Sequence, residues 1–450
     1  MASKTGLEQS SAEPIGAQEA GVLLSEFSNS GPLALAVSGG PDSMALMTLM
    51  GDCLDRTGTV PGPVAVLSVD HGLRPGSDRE AAGVGVWARR FGFEHAVLTW
   101  RGQKPRRGVQ AAARQARYDL MSRWCVERGI DTLLLAHTLD DLAETFLLRL
   151  ARGSGVDGLA AMTDGTMWNG IALRRPLLDV RRDRLIATLR ERGVTWLLDP
   201  SNEDDRFARA RMRKLLPALT REGLTVRRIA DTARRMRRAR HALERSAVEL
   251  SRRAVTLFDT GHCRINTAEL VEAPDELMLR VLARTVMALG GNPYPPRLVR
   301  LERLATWLAD GNNAGCTLGG CRFERRGSVV ICYRERGRCR ENALVLKSGE
   351  TAVWDGRFHV SATTSARARY DVRALEAEGW RRVCSVMPRR PVLPARIGHG
   401  LVSFWAGEQL VAVPHLGFQD RGQAETESFS ARFCNAGLLG FSDTALTHLE

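Results

Sequence analysis

Two short polar segments hold side chains whose types and spacing could do chemistry. The first is SGGPDS, made of Ser38, Gly39, Gly40, Pro41, Asp42 and Ser43, which follows five apolar residues and precedes a helical pattern. A strand that ends in glycines before a helix presents free N–H groups to an anion, and the helix dipole strengthens the attraction. The segment has neither the lysine of a Walker A loop nor the third glycine of a dinucleotide fingerprint.

The second segment is AHTLDDLAET, residues 136–145, in which His137 ends a predicted strand. Asp141 and Glu144 are three residues apart and therefore share one face of the helix that follows. Two carboxylates on one face suit a cation, either a metal ion or the amine of a substrate. A purely structural interpretation is an acidic first turn that satisfies the helix dipole. His137 or one of the two carboxylates could accept a proton during catalysis.

The elements that must position these segments alternate between strand and helix. Apolar runs at residues 33–37, 64–69, 96–99 and 132–136 predict strands, and helical patterns lie between them. This alternation predicts a parallel sheet with helices on both faces. Ser38, Asp70 and His137 follow the ends of three of these strands. Ligands bind beyond the carboxyl ends of strands in such sheets, so we expect the three residues to converge.

The rest of the chain is predicted to be first helical and then mixed. Residues 221–253 read as an arginine-rich helix pair, residues 316–333 as a hairpin, and residues 349–360 and 400–413 as strands with turns. The expected organisation is a flexible N-terminal tail at 1–28, a catalytic domain at 29–217, a helical or mixed domain at 218–340 whose arginines suit contact with RNA, and an accessory domain at 341–450. The fold class is thus α/β followed by a helical segment and a mixed α+β domain.

Composition narrows the classes of partner and compartment. The 450 residues carry a net charge of +13, which favours a polyanion such as RNA, although the charge is almost entirely arginine. Nine scattered cysteines without a C-x-x-C pair argue for a reducing, cytoplasmic compartment and against a zinc knuckle. No apolar run approaches the length of a membrane helix, so no membrane partner is expected.

The motifs together resemble one family. SGGPDS resembles the loop that grips the β,γ-pyrophosphate of ATP in N-type ATP pyrophosphatases, the PP-loop superfamily. AHTLDDLAET resembles the AHHxDDQAET segment of tRNA(Ile)-lysidine synthetases. Further family segments occur in the same order: DHGLR at 70–74, QAAARQARY at 110–118, RGSGVDGL at 152–159, RPLL at 175–178 and DPSNEDDRFARARMR at 199–213. Thr138, Leu142, Ala210 and Gln110 depart from the residues that are usual at those positions.

The resemblance implies a doubly wound, adenine nucleotide alpha hydrolase-like fold and a two-step ligase reaction. ATP adenylates the wobble cytidine of the CAU anticodon of an isoleucine tRNA, and free L-lysine then displaces AMP to give lysidine. The implied catalytic residues are Asp42, His137, Asp141 and Glu144, with Mg²⁺ on Asp42. The implied ATP site comprises residues 38–43, Asp70 and Arg74. The implied substrate-binding residues are Arg114, Arg117, Asp141, Glu144, Arg209 and Arg213.

Two alternatives remain open from the sequence. A tRNA thiolase of the same superfamily would also adenylate a base but would need a reactive cysteine near these motifs, and none is adjacent in sequence. A non-catalytic RNA-binding protein on a degenerate PP-loop is disfavoured by the intact Ser38, Asp42 and Ser43. DNA is not an expected partner, and a homodimer is left open.

Overall fold

The structure is a computed structural model of the chain. It describes residues 12–28, 31–57, 62–72, 76–102, 104–105, 108–198, 204–311, 313–339, 343–363, 369–420, 428–442 and 446–447. Arg74 and the start of the DPSNEDD motif, residues 199–203, lie outside the described residues. The chain divides into two compact units, Met1–Arg240 and His241–Glu450.

The first unit is an α/β sheet flanked by helices. Its strands are β1 Leu33–Ala36, β2 Val64–Asp70, β3 Glu94–Thr99, β4 Thr132–Leu135, β5 Gly165–Trp168 and β6 Ile171–Arg174. Its helices are α1 Ala17–Ser28, α2 Pro41–Thr57, α3 Ser77–Arg90, α4 Val109–Glu127, α5 Leu139–Leu150, α6 Val156–Leu159, α7 Arg182–Glu191 and α8 Ala208–Arg221. The strand order is β3-β2-β1-β4-β6-β5, and every pairing except β5 with β6 is parallel. The predicted doubly wound fold class is confirmed.

The two faces of this sheet carry separate apolar cores, because successive strand residues point to opposite faces. Leu33 and Leu35 of β1 belong to a core that includes Leu24 of α1, Met47 of α2 and Leu185 of α7. Ala34 of β1 instead packs in a core with Leu67 of β2 and with Met121 and Trp124 of α4. Strands covered on both faces read as continuous apolar runs, which is why residues 33–37 are so hydrophobic.

One edge of the sheet differs from the all-parallel prediction. β5 and β6 form an antiparallel hairpin through Asn169 and Gly170, whose φ values are 45° and 85°. Left-handed values at both central residues are what a tight hairpin turn requires, and Asn-Gly is the preferred pair. The hairpin was therefore visible in the sequence at residues 165–174 but was not predicted.

The predicted flexible tail is wrong for residues 12–28. Helix α1 occupies residues 17–28, and Ile15, Ala20, Leu24 and Phe27 are buried. The polar composition of the segment concealed the spacing of Ala20, Leu24 and Phe27, which lie three or four residues apart and therefore on the inner face of the helix.

The second unit is mixed α+β, as predicted. The long helix α9 Val226–Ala254 contains the division between the units, and the further helices are α10 Thr267–Val271, α11 Asp275–Gly290, α12 Leu298–Ala309, α13 Arg336–Cys339, α14 Glu376–Val386 and α15 Ala395–Gly398. The strands are β7 Val255–Leu257, β8 Cys263–Asn266, β9 Cys316–Leu318, β10 Cys321–Arg326, β11 Val329–Arg334, β12 Leu344–Lys347, β13 Thr351–Trp354, β14 Phe358–Thr363, β15 Arg369–Ala374, β16 Val402–Ala406, β17 Gln409–Val413, β18 Phe418–Gln419 and β19 Ser428–Phe433. They form sheets of order β7-β8-β11-β10-β9, β12-β15-β16-β17-β18 and β13-β14-β19.

The hairpin predicted at 316–333 is confirmed as β10 and β11, and β9 adds a third antiparallel strand next to β10. Two other expectations for this part of the chain need correction. The arginine-rich segment after residue 221 is the single helix α9 rather than a helix pair. The division falls after Arg240 rather than at 217, and residues on both sides of 340, such as Val286 and Trp354, share one apolar core.

None of the helices within the described ranges combines the length and the apolarity that a bilayer crossing requires.

Candidate active site

The SGGPDS segment forms the turn between β1 and α2. Pro41 begins the helix, where its missing N–H costs nothing and its fixed φ suits the first turn. The Ser43 hydroxyl donates to the Gly40 carbonyl at 2.9 Å and accepts from the Ser38 N–H at 3.2 Å. The hydroxyls of Ser38 and Ser43 are 3.3 Å apart. The loop is therefore closed on itself by serine hydrogen bonds before any ligand is bound.

Gly39 has a left-handed backbone conformation that residues with a side chain rarely adopt. Its φ is +86°, and a Cβ built on it would lie 2.5 Å from Cδ1 of Leu197. The Leu197 N–H also donates to the Gly39 carbonyl at 2.8 Å. Within the part of the chain that the structure describes, the N–H groups of Gly39 and Gly40 donate to no protein acceptor. They are available to an anion at the start of α2.

Three predicted catalytic carboxylates surround one arginine that the sequence analysis missed. Arg182, the first residue of α7, places Nε 2.9 Å from Oδ2 of Asp42, Nη2 3.1 Å from Oδ1 of Asp141 and Nη1 3.5 Å from Oε1 of Glu144. We call Asp42, Asp141 and Glu144 the carboxylate cluster. The available signal for Arg182 was its position in the sequence, four residues after the end of RPLL, but only its spatial position reveals the role.

Helix α5 positions two members of the carboxylate cluster. Thr138 caps the helix in a capping box with Asp141, whose Oδ2 accepts from the Thr138 N–H at 3.0 Å and from its hydroxyl at 2.9 Å. Glu144 lies one turn further, fully buried, where Nε of Arg213 on α8 donates to it at 2.8 Å. The helix thus begins at Leu139, because Thr138 supplies the cap.

Burial and charge act differently on the carboxylates. Burial is the main cause that raises the pKa of Asp42 to about 6, because the positive charge of Arg182 offsets it only in part and Asp141 repels a second negative charge. Burial would also raise the pKa of Asp141, but the positive charge of Arg182 and the Thr138 hydrogen bonds lower it overall. Asp42 is therefore the carboxylate most in need of a further cation.

His137 follows β4, next to β1 in the sheet, and faces a group of arginines. Nε of Arg175 donates to its Nδ1 at 3.3 Å. Burial, opposed by Asp141 and assisted by Arg175, lowers the pKa of His137 to about 3. The guanidinium groups of Arg114 and Arg117 lie 5.2 and 5.1 Å from the ring centre of Tyr118 on the same helix, α4. Their positive charges also act on His137, so this side of the site is basic.

Two other predicted site residues have different surroundings. Asp70 ends β2 and closes a turn, since Oδ1 accepts from the Gly72 N–H at 2.9 Å and from the Ser77 hydroxyl at 2.6 Å. Within the described residues it makes no contact with the carboxylate cluster. Arg209 on α8 places Nη2 3.4 Å from the Thr145 hydroxyl, one residue beyond Glu144.

Comparison with known proteins decides the family. A family model described as the PP-loop domain matches residues 14–219. The chain is 43% identical to the tRNA(Ile)-lysidine synthase of Methylobacterium sp. (strain 4-46) over 332 residues, 72% of this chain and 95% of the relative. It is 38% identical to that of Ruegeria pomeroyi over 417 residues, 92% of this chain and 96% of the relative.

The chain belongs to the tRNA(Ile)-lysidine synthase family. The resemblance drawn from the ordered motifs is thereby confirmed. Among solved structures, a U34-tRNA thiolase from Methanococcus maripaludis is 15% identical with a TM-score of 0.43, covering 49% of this chain and 77% of that one. A likeness this distant adds nothing to the assignment.

Membership of the lysidine synthase family does not itself assign roles to individual side chains. The geometry brings the predicted residues Asp42, Asp141, Glu144 and Arg213 into one ion-paired group through Arg182. His137 lies in a second, basic group with Arg175, which the sequence analysis noted only as part of RPLL. The roles given to all of these residues remain predictions.

Proposed function

We propose that this chain is an ATP-dependent tRNA(Ile)-lysidine synthase. It adenylates the ring carbonyl oxygen of the wobble cytidine in the CAU anticodon of an isoleucine tRNA, and it then joins lysine to that carbon with release of AMP. The product, lysidine, changes the codon that the tRNA reads from AUG to AUA. The observation that carries the proposal is the carboxylate cluster beside the SGGPDS loop, a cation site next to an anion site.

The loop suits the phosphates of ATP. The N–H groups of Gly39 and Gly40 and the start of α2 attract the pyrophosphate part. Asp42, at the first turn of α2, would hold Mg²⁺, which supplies charge neutralisation on the departing pyrophosphate when it is bound. Within the described ranges no three His, Cys, Asp or Glu side chains form a metal site by themselves. That agrees with an ion held by one carboxylate together with substrate phosphates.

The carboxylate cluster suits the lysine substrate. Three carboxylates face two guanidinium groups, those of Arg182 and Arg213, so one negative charge is in excess. An ammonium group placed there gains charge-assisted hydrogen bonds. Arg182 already neutralises part of the negative charge of the cluster. We therefore propose that the ammonium of lysine binds beside Arg182, against Asp141 and Glu144. The arginines on α4 and α8 are candidates for the nucleotide phosphates.

Cysteine chemistry has no support in the first unit, which disfavours a thiolase. Its two cysteines, Cys53 and Cys125, are both buried. Burial raises the pKa of the Cys125 thiol to about 11, so that thiol is not a nucleophile at neutral pH. A cytoplasmic location and a homodimer remain predictions.

The proposal is tested with the full chain, ATP, radiolabelled lysine and a tRNA(Ile) transcript with a CAU anticodon. We expect the label to enter the tRNA, with release of AMP and pyrophosphate. A control transcript with a UAU anticodon should give no labelled tRNA and no release of AMP or pyrophosphate. Because several phosphates are to be neutralised, tRNA binding should weaken steeply with salt. Incorporation of sulfur from a sulfide donor, without incorporation of lysine, would instead establish a thiolase.

A further inference from the structure

The hydrogen bond between Arg175 and His137 determines which ring nitrogen of the histidine carries the proton. A guanidinium group has five N–H donors and no acceptor. Because Nε of Arg175 points its hydrogen at Nδ1 of His137 at 3.3 Å, Nδ1 must be the acceptor and carry no proton. The proton of the neutral imidazole therefore lies on Nε2, which makes Nε2 a donor.

Arg175 is held so that it cannot turn away from this contact. It is 7% exposed. Its Nη1 donates to the Thr163 carbonyl at 2.9 Å, and both Nη atoms lie 3.3 Å from the Thr166 hydroxyl on β5. Its backbone N–H is also bonded, to the Asp164 carbonyl at 2.9 Å. The β5–β6 hairpin thus fixes the guanidinium from the side opposite the histidine.

The other nitrogen of His137 is free to meet a ligand. The ring is only partly buried, and Nε2 has no hydrogen-bond partner in the residues that the structure describes. The positive charges of Arg114 and Arg117 also act on the ring. A fixed, uncharged N–H donor among arginines matches an electron-rich oxygen, such as a phosphoryl or ring carbonyl oxygen, rather than an amine.

We propose that His137 is a fixed N–H donor to a substrate oxygen, and that Arg175 is the positioning residue that selects this tautomer. The proposal rests on the proposed function, because it concerns the oxygen that carries the adenylate. It removes His137 from the candidates for the base that accepts the lysine amine's proton and leaves Asp141 and Glu144. The low pKa of His137 agrees with this, since the imidazole stays neutral throughout the working range.

Substitutions at position 137 separate a donor from a base. In His137→Gln, the amide N–H can replace the Nε2 donor but cannot act as a base, whereas His137→Ala supplies neither. Loss of one preorganised donor typically costs about 10²–10³-fold in rate. We expect His137→Ala to lose that much in single-turnover lysidine formation, and His137→Gln to retain about a tenth of the activity or more. Equal loss in both variants would overturn the proposal.

The tautomer itself can be measured without substrates. Nitrogen-15 labelling of the nine histidines, with His137 assigned from the spectrum of His137→Gln, gives the ¹H–¹⁵N pattern of its ring. We expect a single Nε2–H tautomer in the wild type and a mixture in Arg175→Met. The matched control is Arg174→Met, which removes the neighbouring arginine that pairs with Glu26, and it should leave the pattern unchanged.

These measurements also distinguish failure of this proposal from failure of the proposed function. An Nδ1–H tautomer in the wild type, or an unchanged pattern in Arg175→Met, would overturn the positioning role even if lysidine is formed. A chain that forms no lysidine but shows the expected tautomer and its loss in Arg175→Met would refute the function alone. Arg175→Lys retains a donor and should restore part of the wild-type pattern.

Discussion

The two units each contain a group of arginines and carboxylates, and the two groups differ in their ratio of carboxylates to arginines and in their exposure. In the first unit, the carboxylate cluster has three carboxylates for two arginines, and its side chains are partly open: Asp42 and Arg182 are each 19% exposed. In the second unit, Oδ1 of Asp355 lies 2.6 Å from Nη2 of Arg334, and its Oδ2 lies 2.7 Å from Nε of Arg357. We call Arg334, Asp355 and Arg357 the buried ion group; its carboxylate is 0% exposed.

The difference in charge balance favours a structural role for the buried ion group and a binding role for the carboxylate cluster. In the buried ion group one carboxylate already has two guanidinium partners, and Nη1 of Arg334 also donates to the Gly290 carbonyl at 2.7 Å. Such a group gains nothing from a further cation and serves to connect β11, α11 and the turn at Asp355. The carboxylate cluster has an unsatisfied negative charge next to a loop with free N–H donors. This is where we propose that the ammonium group of the lysine substrate binds.

The largest expected effect tests the carboxylate cluster. Asp42→Asn keeps the shape of the side chain but removes the charge that we assign to Mg²⁺. We expect pyrophosphate release to fall by about 10²–10³-fold or more, with tRNA affinity close to that of the wild type. The measurement is pyrophosphate formation with saturating tRNA, alongside a tRNA-binding titration.

The matched control for Asp42 lies on the same helix. Asp52 of α2 pairs with Arg192 rather than with the carboxylate cluster. Asp52→Asn should keep near-normal pyrophosphate release. Full activity in Asp42→Asn would show that the excess charge of the cluster is not used for the phosphates.

The next effect tests the buried ion group. Arg334→Met leaves the carboxylate of Asp355 with one of its arginines gone, and breaking a buried ion pair costs about 3–5 kcal/mol. We expect amide exchange in β11 and its neighbouring strands to speed up by about 10²–10³-fold. Arg382→Met, which breaks the exposed pair with Glu378, should change exchange little. Similar exchange rates in the two variants would contradict the contrast that we draw.

Glu144→Gln separates the two chemical steps. If Glu144 helps to bind the ammonium of lysine, losing its charge removes a charge-assisted hydrogen bond worth roughly 1.5–3 kcal/mol, so the KM for lysine should rise about tenfold or more. Adenylated tRNA should still form and accumulate. The measurement quantifies adenylated tRNA and lysidine separately over a lysine titration.

The alternatives to lysine binding predict different results for Glu144→Gln. If the carboxylate cluster holds only a metal ion, adenylation should fail as well. If Glu144 only anchors Arg213 on α8, both steps should survive with a less stable fold. Glu191→Gln, at the exposed end of α7, is the control and should change neither step. An unchanged KM for lysine would remove Glu144 from the lysine pocket.

The sequence could predict the parts of the site that lie within single motifs. The SGGPDS loop, the strand ends and the shared face of Asp141 and Glu144 follow from local spacing, and the structure has them as expected. Arg182 and Arg175 could not be found that way. Arg175 contacts His137, which lies 38 positions earlier, and Arg182 contacts Asp42, which lies 140 positions earlier. Because the partners belong to different elements, each contact exists only after the sheet has formed.

A similar limit applies to the fold. The parallel strands follow from their apolar runs, whereas the packing of α1 depends on three separated apolar residues, Ala20, Leu24 and Phe27, that meet a core built from later elements. The Asn-Gly turn of the β5–β6 hairpin was a local signal and could have been read. The hairpin holds Arg175 through local contacts, but the meeting of Arg175 with His137 is not local, since it needs β6 to pair with β4.

The smallest expected effect concerns Thr138, which departs from the histidine usual in the family. Its hydroxyl completes the capping box of α5 and is fully buried, so Thr138→Val removes the cap at nearly constant volume. Loss of such a cap costs about 1 kcal/mol, and amide exchange in the first turn of α5 should speed up by about fivefold. Asp141 keeps the Thr138 backbone N–H at 3.0 Å and its bond to Arg182 at 3.1 Å, so the KM for lysine should change much less than in Glu144→Gln. Thr138→Ser retains the hydroxyl and should exchange at the wild-type rate. If Thr138→Val instead raised the KM for lysine as much as Glu144→Gln, the hydroxyl would belong to the binding site itself, and the separation between supporting and binding groups on α5 would fail.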